Sequence, residues 1–268
     1  MKTFMNIFYV IGFTLASFVV LANEGNTIKG EEIIYRAGDT QLTGYLAYDT
    51  KIRGKRPGVI IVHEWWGHND YVRQRADQLA ALGYTAFALD MYGEGKTANH
   101  PQDARNFMME AFNNMERSGE RFIAAKTLLE QQPTTFDNKI AAIGYCFGGG
   151  IVLQMARDGL DLAGVASFHG NLATHPTPAQ KGKVKAKILV MHGADDVLIN
   201  EQVEPFKQEM NAADVDYRFI AYPGAVHSFT SPAATALGKQ FNMPMAYDAD
   251  ADKQSWQELE LFLKDIFN

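Results

Sequence analysis

Ile140-Ala141-Ala142-Ile143-Gly144-Tyr145-Cys146-Phe147-Gly148-Gly149-Gly150 reads as a buried strand, a sharp turn and the entrance to a helix. Ile140–Gly144 is a short apolar run of strand length, and a helix is expected over Gly149–Arg157. Between them stands Gly-x-Cys-x-Gly, the strand–turn–helix elbow G-x-S-x-G with cysteine in place of serine. Such a turn strains the backbone of its central residue and exposes that side chain. The glycines two before and two after are needed because strand and helix pass too closely for side chains. The helix N-terminus that follows favours negative charge on the sulfur. The competing structural reading is a buried cysteine in a glycine-rich turn, which requires no chemical partners elsewhere in the chain.

Working outward, strands and helices alternate. Glu31 to Tyr48 reads as two strands joined at Gly38-Asp39. Val59-Ile60-Ile61-Val62 is a continuous β-branched run, the mark of a strand buried on both faces. A helix is expected over Asp70–Leu82, with Val72, Ala76, Leu79 and Ala80 on one side and Gly83 as its stop. A strand from Tyr84 to Leu89 follows, then helical periodicity over Ala104–Met115 and Arg121–Leu129, interrupted by Pro133. Beyond the elbow come strands at Leu162–Phe168, Ile188–Met191 and Tyr217–Tyr222, with a helix over Glu201–Ala212. The last helix is expected to begin near Ser255, where Ser-x-x-Glu to Glu258 forms a capping box, and to bury Trp256, Leu259, Leu263, Ile266 and Phe267. This alternation predicts an α/β fold with a mostly parallel central sheet and helices on both faces. Sites in such sheets lie beyond the carboxyl ends of the strands.

Two later strand exits carry the partners a cysteine nucleophile needs. His192-Gly193-Ala194-Asp195-Asp196 follows one, and Pro223-Gly224-Ala225-Val226-His227-Ser228-Phe229 follows another. The order nucleophile, acid, base is that of the α/β-hydrolases. Asp195 competes with Asp196 for the acid position, and the H-G-x-x-D spacing favours Asp196. His63-Glu64-Trp65-Trp66-Gly67-His68 superficially suggests the zinc motif H-E-x-x-H, but its second histidine is one residue too far and the segment leaves a strand. No metal and no cofactor is expected. The same position in this fold donates one oxyanion-hole amide, so the N–H groups of Trp65 and Phe147 are the candidate pair. Trp65, Trp66, Phe147, His169 and Phe229 suggest an apolar, aromatic-lined pocket.

The chain has 268 residues, 47% of them hydrophobic, which is ample for one domain of this class. Lys2, the apolar run Phe4–Val20 and small residues at Val20 and Ala22 read as a secretory signal peptide over residues 1–22, leaving one domain over 23–268. The expected location is the periplasm or outside the cell, with no stable membrane insertion after cleavage. An uncleaved anchor is the alternative, weakened by Asn6, Thr14 and Ser17 within the run. Net charge is −6, and removing the single positive charge of residues 1–22 leaves −7. With no basic stripe, nucleic acid is not an expected partner. The chain has one cysteine, so no internal disulfide can form.

These pieces together resemble the dienelactone hydrolase family, the carboxymethylenebutenolidase-like branch of the α/β-hydrolases. The resemblance spans about residues 30–267 and rests on His63-Glu64-Trp65-Trp66-Gly67, Leu89-Asp90-Met91-Tyr92-Gly93, the Cys146 elbow, Ser167-Phe168-His169-Gly170, the Asp196 segment and Ala225-Val226-His227-Ser228-Phe229. It implies Cys146 as nucleophile with Asp196 and His227, and Glu64 as a carboxylate contacting the resting thiol. It also implies a small-molecule ester or lactone as substrate. One departure bears on the substrate. Where members acting on dienelactone place arginines, this chain has Thr230-Ser231 and Gly93-Glu94-Gly95-Lys96. Bidentate grip on a carboxylate is arginine chemistry that Ser and Thr do not replace. A second functional class is a binding or redox-sensing protein that keeps the scaffold and uses Cys146 as a reversible thiol. Intact Asp196 and His227 argue against it, because a sensor needs no acid–base chain.

Overall fold

The computed structural model describes residues 27–268, so the segment read as a signal peptide lies outside the described residues. Strand β1 (Ile28–Ala37) and β2 (Thr40–Asp49) form an antiparallel hairpin that turns at Gly38-Asp39. They flank β3 (Arg56–Val62), β4 (Thr85–Ala88), β5 (Thr135–Tyr145), β6 (Gly164–Phe168), β7 (Lys187–Gly193) and β8 (Tyr217–Tyr222). One eight-stranded sheet results, in the order β1-β2-β4-β3-β5-β6-β7-β8. β2 meets β4 antiparallel, and every pairing from β4 to β8 is parallel.

The alternating direction of side chains along β3 explains its unbroken apolar run. Val59 and Ile61 enter a core with Val72, Ala76 and Leu79 of α1 (Asp70–Ala81) and Leu259, Leu263 and Phe267 of α7 (Ala249–Phe267). Ile60 and Val62 enter the opposite core, with Phe122 and Leu129 of α3 (Met115–Glu130), Ile151 and Val152 of α4 (Phe147–Arg157) and Phe206 of α5 (Asn200–Ala212). Each such side chain, fully buried, contributes about 1.5–3 kcal/mol. α2 (Pro101–Asn113) packs Ala111 into the second core and brings Met108 and Phe112 to the cavity described below, and α6 (Ala234–Phe241) precedes the segment Met243–Met245 that also lines it. Among the described residues no helix is long and apolar enough to cross a membrane.

Several element ends differ from the sequence reading: β5 begins at Thr135 instead of Ile140, and α3 at Met115 instead of Arg121. α7 starts at Ala249, where Asp248 accepts from the N–H groups of Asp250 and Ala251. Ser255 therefore lies inside the helix and its hydroxyl donates to the Asp252 carbonyl, so the expected capping box at Ser255 and Glu258 does not form. α4 starts directly after Cys146, and α6 forms in a stretch to which the sequence reading assigns no element.

Candidate active site

The elbow is built by its backbone. Cys146 has φ +53° and ψ −114°, a region that costs a non-glycine residue about 1–3 kcal/mol. Its surroundings hold it there. The Cys146 N–H donates to the Phe168 carbonyl at 3.0 Å, and its carbonyl accepts from the N–H groups of Gly149 at 3.1 Å, Gly150 at 3.3 Å and Asn171 at 3.3 Å. A Cβ on Gly144 would sit 2.1 Å from the Gly148 carbonyl oxygen, and one on Gly148 would sit 2.3 Å from that of Val62. Both glycines are thus demanded by close passage of backbone against backbone.

Three sequence-nominated side chains converge here. His227 Nε2 lies 3.1 Å from Cys146 Sγ, and His227 Nδ1 lies 2.7 Å from Asp196 Oδ2. Asp196 is fully buried and also accepts from the Leu198 N–H at 3.0 Å, whereas Asp195 is exposed. With an acceptor carboxylate at Nδ1, that nitrogen carries the proton and Nε2 faces the sulfur. Burial of the ring opposes its charge, but the Cys146 sulfur and the Asp196 hydrogen bond outweigh burial and hold the imidazole well above its ordinary pKa.

Trp65 and Phe147 flank the sulfur's cavity. Among the described residues neither backbone N–H has a hydrogen-bond acceptor. The Tyr92 hydroxyl donates to the Trp65 carbonyl at 3.0 Å, and the Gly67 N–H donates to the Glu64 carbonyl at 3.1 Å, which fixes the turn that presents Trp65. Tyr92 is positioned in turn by Asp90, whose carboxylate accepts from the N–H groups of Tyr92, Gly93 and Gly95. Asp90 and Tyr92 fall within a stretch that the sequence marks, but their positioning task depends on three-dimensional contacts that spacing does not encode.

Glu64 takes a partner that the resemblance does not name. Its Oε1 accepts from the Ser228 hydroxyl at 3.0 Å, while the thiol's partner is His227. The left-handed backbone of Ser228, φ +57°, belongs to the turn that brings its hydroxyl to Glu64. Burial pushes the Glu64 carboxyl above its usual pKa, more than the Ser228 hydrogen bond and the His227 charge lower it. The folded chain therefore binds a proton at Glu64 more tightly than the unfolded chain. Stability falls as pH rises from about 4.5 toward the folded value, and the charged carboxylate remains a cost above it. Glu64→Gln, which keeps an oxygen for Ser228, is expected to melt roughly 3 °C higher than the wild type at pH 8, with the gap closing toward pH 4.5. Melting curves at the two pH values check this; equal gaps at both would refute it.

The histidines of the zinc-like stretch are taken by backbone. His63 donates from Nδ1 to the Glu64 carbonyl at 2.6 Å and accepts at Nε2 from the Met91 N–H at 3.2 Å, and burial lowers its pKa to about 4. His68 Nε2 pairs with the Ala88 carbonyl at 3.1 Å. Among the described residues no group of three or more His, Cys, Asp or Glu side chains is arranged to hold a metal ion.

Cys146 and His227 open on a cavity of about 340 Å³. Its walls correct the pocket expected from sequence. Trp66, His169 and Phe229 are buried in packing, while Met108, Phe112, Leu198 and Met243 supply the apolar surface beside Trp65 and Phe147. Thr230 does not reach the cavity; it is bonded to His169 Nε2 at 2.7 Å and to the Tyr71 hydroxyl at 2.6 Å. Among the described residues no Arg or Lys lines the cavity. Asn171, Gln202 and the methionines escaped sequence reasoning because no motif marks them.

A mostly parallel sheet in this order, with a Cys–His–Asp constellation at the carboxyl ends of its parallel strands, defines an α/β-hydrolase. The chain belongs to the dienelactone hydrolase family: the profile described as "Dienelactone hydrolase family" matches residues 42–267. Among solved structures it resembles m3DLH, with 36% identity, TM-score 0.85, and coverage of 90% of this chain and 100% of that one. It also resembles a dienelactone hydrolase-like promiscuous phosphotriesterase from metagenomic libraries, with 32% identity, TM-score 0.83, and coverage of 90% and 100%. Protein usf of Aquifex pyrophilus is 29% identical over 205 residues, 75% of this chain and 87% of that protein. The family and these likenesses make the chain an ester or lactone hydrolase.

Proposed function

We propose that the chain hydrolyses small carboxylic esters or lactones through a Cys146–His227–Asp196 triad and a thioester acyl-enzyme. The observation that carries this reading is the unbroken chain from Cys146 Sγ through His227 to Asp196 at the floor of the cavity. The Cys146 thiolate attacks the ester carbonyl and a C–S bond forms. The N–H groups of Trp65 and Phe147 hold the oxyanion, each such donor being worth about 3–4 kcal/mol. The C–O bond breaks as the proton on His227 Nε2 passes to the leaving alkoxide. Water then attacks the thioester, His227 takes its proton, and the thiolate departs from the released acid. Asp196 keeps the proton on Nδ1 and stabilises the charged ring.

The redox-sensing alternative leaves Asp196 and His227 without a task. Alkylation distinguishes the two, because the chain has a single cysteine. Iodoacetamide is expected to abolish p-nitrophenyl acetate turnover in step with incorporation of one equivalent, read by intact mass. A fully alkylated, fully active protein would refute the proposal.

A further inference from the structure

Two carboxamides on the cavity wall are fixed in one orientation by the backbone. The Ala173 N–H lies 2.8 Å from Asn171 Oδ1 and 2.9 Å from Gln202 Oε1, and the Leu172 N–H lies 2.8 Å from Gln202 Oε1. A backbone N–H can only donate, so it must meet the oxygen of each amide; the reversed placement would set two donors against each other. Both oxygens therefore converge on one N–H, which holds the two amide groups side by side. Each leaves its NH₂ group uncommitted, and neither nitrogen has an acceptor among the described residues. Both residues line the cavity that holds Cys146 and His227. Asn171 is also tied to the elbow itself, since its N–H donates to the Cys146 carbonyl at 3.3 Å.

The charge inventory of that cavity sharpens the reading. Among the described residues no Lys, Arg, Asp or Glu lines it, and its remaining walls are largely apolar. An anionic group entering would lose its water in exchange for two neutral dipoles, because the one cationic ring on the wall, His227, is already paired with the Cys146 sulfur and with Asp196. A neutral carbonyl or ether oxygen sheds water at much smaller cost and matches the donors. Asn171 and Gln202 are half-buried, so a substrate oxygen that reaches them replaces a loosely held water and is favoured over the analogue lacking it by about the worth of one hydrogen bond.

Resting on the proposed catalytic role of Cys146, we propose that Asn171 and Gln202 form a neutral donor pair that selects uncharged esters bearing a second oxygen acceptor on the group bound in this cavity. The family's carboxylate-bearing lactones are thereby disfavoured, and specificity shifts to keto-, alkoxy- or acyl-substituted neutral esters.

Three p-nitrophenyl esters of matched length test it: the hexanoate, the 5-oxohexanoate and the half-ester of adipic acid, with spontaneous hydrolysis subtracted. The expected kcat/KM is about tenfold higher for the 5-oxohexanoate than for the hexanoate, and about tenfold lower for the adipate half-ester. Gln202→Glu keeps an oxygen for the Leu172 and Ala173 N–H groups but replaces the NH₂ donor with an acceptor. Asn171→Asp does the same at its position. In each variant the ratio of 5-oxohexanoate to hexanoate is expected to fall to about one, a comparison internal to the variant. A ratio near one in the wild type, a ratio retained in both variants, or an adipate half-ester cleaved as fast as the hexanoate would overturn the proposal. Cys146→Ala separates the two levels. If it still hydrolyses the hexanoate, the catalytic reading fails; if it is inactive while the wild-type ratio is near one, only the donor pair fails.

Discussion

Cys146→Ala is expected to lower kcat/KM for p-nitrophenyl acetate by at least about 10⁴-fold, the loss typical when a triad nucleophile is removed. Without the sulfur no thioester can form. What survives is attack by water in a cavity where the Trp65 and Phe147 amides, the proposed oxyanion donors, remain in place. Folding should be little affected, because Ala meets the same backbone strain at φ +53° and the hydrogen bonds that fix the main chain here are backbone bonds that the substitution leaves in place. The substitution also removes one of the two influences that hold His227 well above its ordinary pKa. The His227 titration, followed by NMR, should accordingly move down in the variant. Activity and titration thus report on the same sulfur by independent routes. A variant with wild-type turnover would remove Cys146 from the chemistry.

Gly144→Ala should damage the protein most among single-methyl additions at the site. The new Cβ would lie 2.1 Å from the Gly148 oxygen, 2.3 Å from the Gly148 carbonyl carbon and 2.7 Å from the Gly149 nitrogen. All three are backbone atoms in the first turn of α4, and none can swing aside as a flexible side-chain end could. Relief requires the helix to move off the strand. That motion displaces the Phe147 amide and breaks the geometry around the Cys146 carbonyl. Overpacking of this kind costs about 3 kcal/mol or more, so a fall in Tm of roughly 6–12 °C is expected for a domain of this size. Any protein that folds should also lose at least about 100-fold in kcat/KM, because oxyanion stabilisation depends on placement to a fraction of an ångström. Wild-type stability and rate together would show that strand and helix do not pass as closely as described.

The parts of this molecule that were legible in its sequence share a physical cause. β3 and β5 show as uninterrupted apolar runs because Val59 and Ile61 face one core while Ile60 and Val62 face the other. The elbow shows because its glycines answer a steric demand that few other residues can meet. Cys146, Asp196 and His227 lie at strand exits, where parallel-sheet topology gathers side chains from distant segments, so their nearness follows from the order of elements. The start of α7 was misread because two adequate caps stand seven residues apart in sequence, Asp248 and Ser255, and local pattern alone cannot rank them. The residues between them, Ala249 to Gln254, are themselves helix-competent, so the earlier cap prevails.

The cavity walls were less legible for a different reason. Apolar composition around the motifs drew attention to Trp66, His169 and Phe229, but composition carries no direction, and these side chains turn into the core. Those that do face the sulfur come from α2, from the start of α5 and from the segment after α6, elements that carry no catalytic pattern. Glu64 shows the same limit. Its presence beside the elbow is a matter of topology, whereas its choice of Ser228 over the thiol depends on a left-handed turn at Ser228 that residue type alone does not announce.

The most direct measurement is intact-protein mass spectrometry of a reaction quenched in acid within the first turnover of p-nitrophenyl acetate. Wild-type protein is expected to gain the mass of one acetyl group, located on the Cys146 peptide and absent from Cys146→Ala. Rapid release of acetate with no mass gained at any time, or an acetyl group found on another residue and formed equally in the variant, would contradict the thioester route.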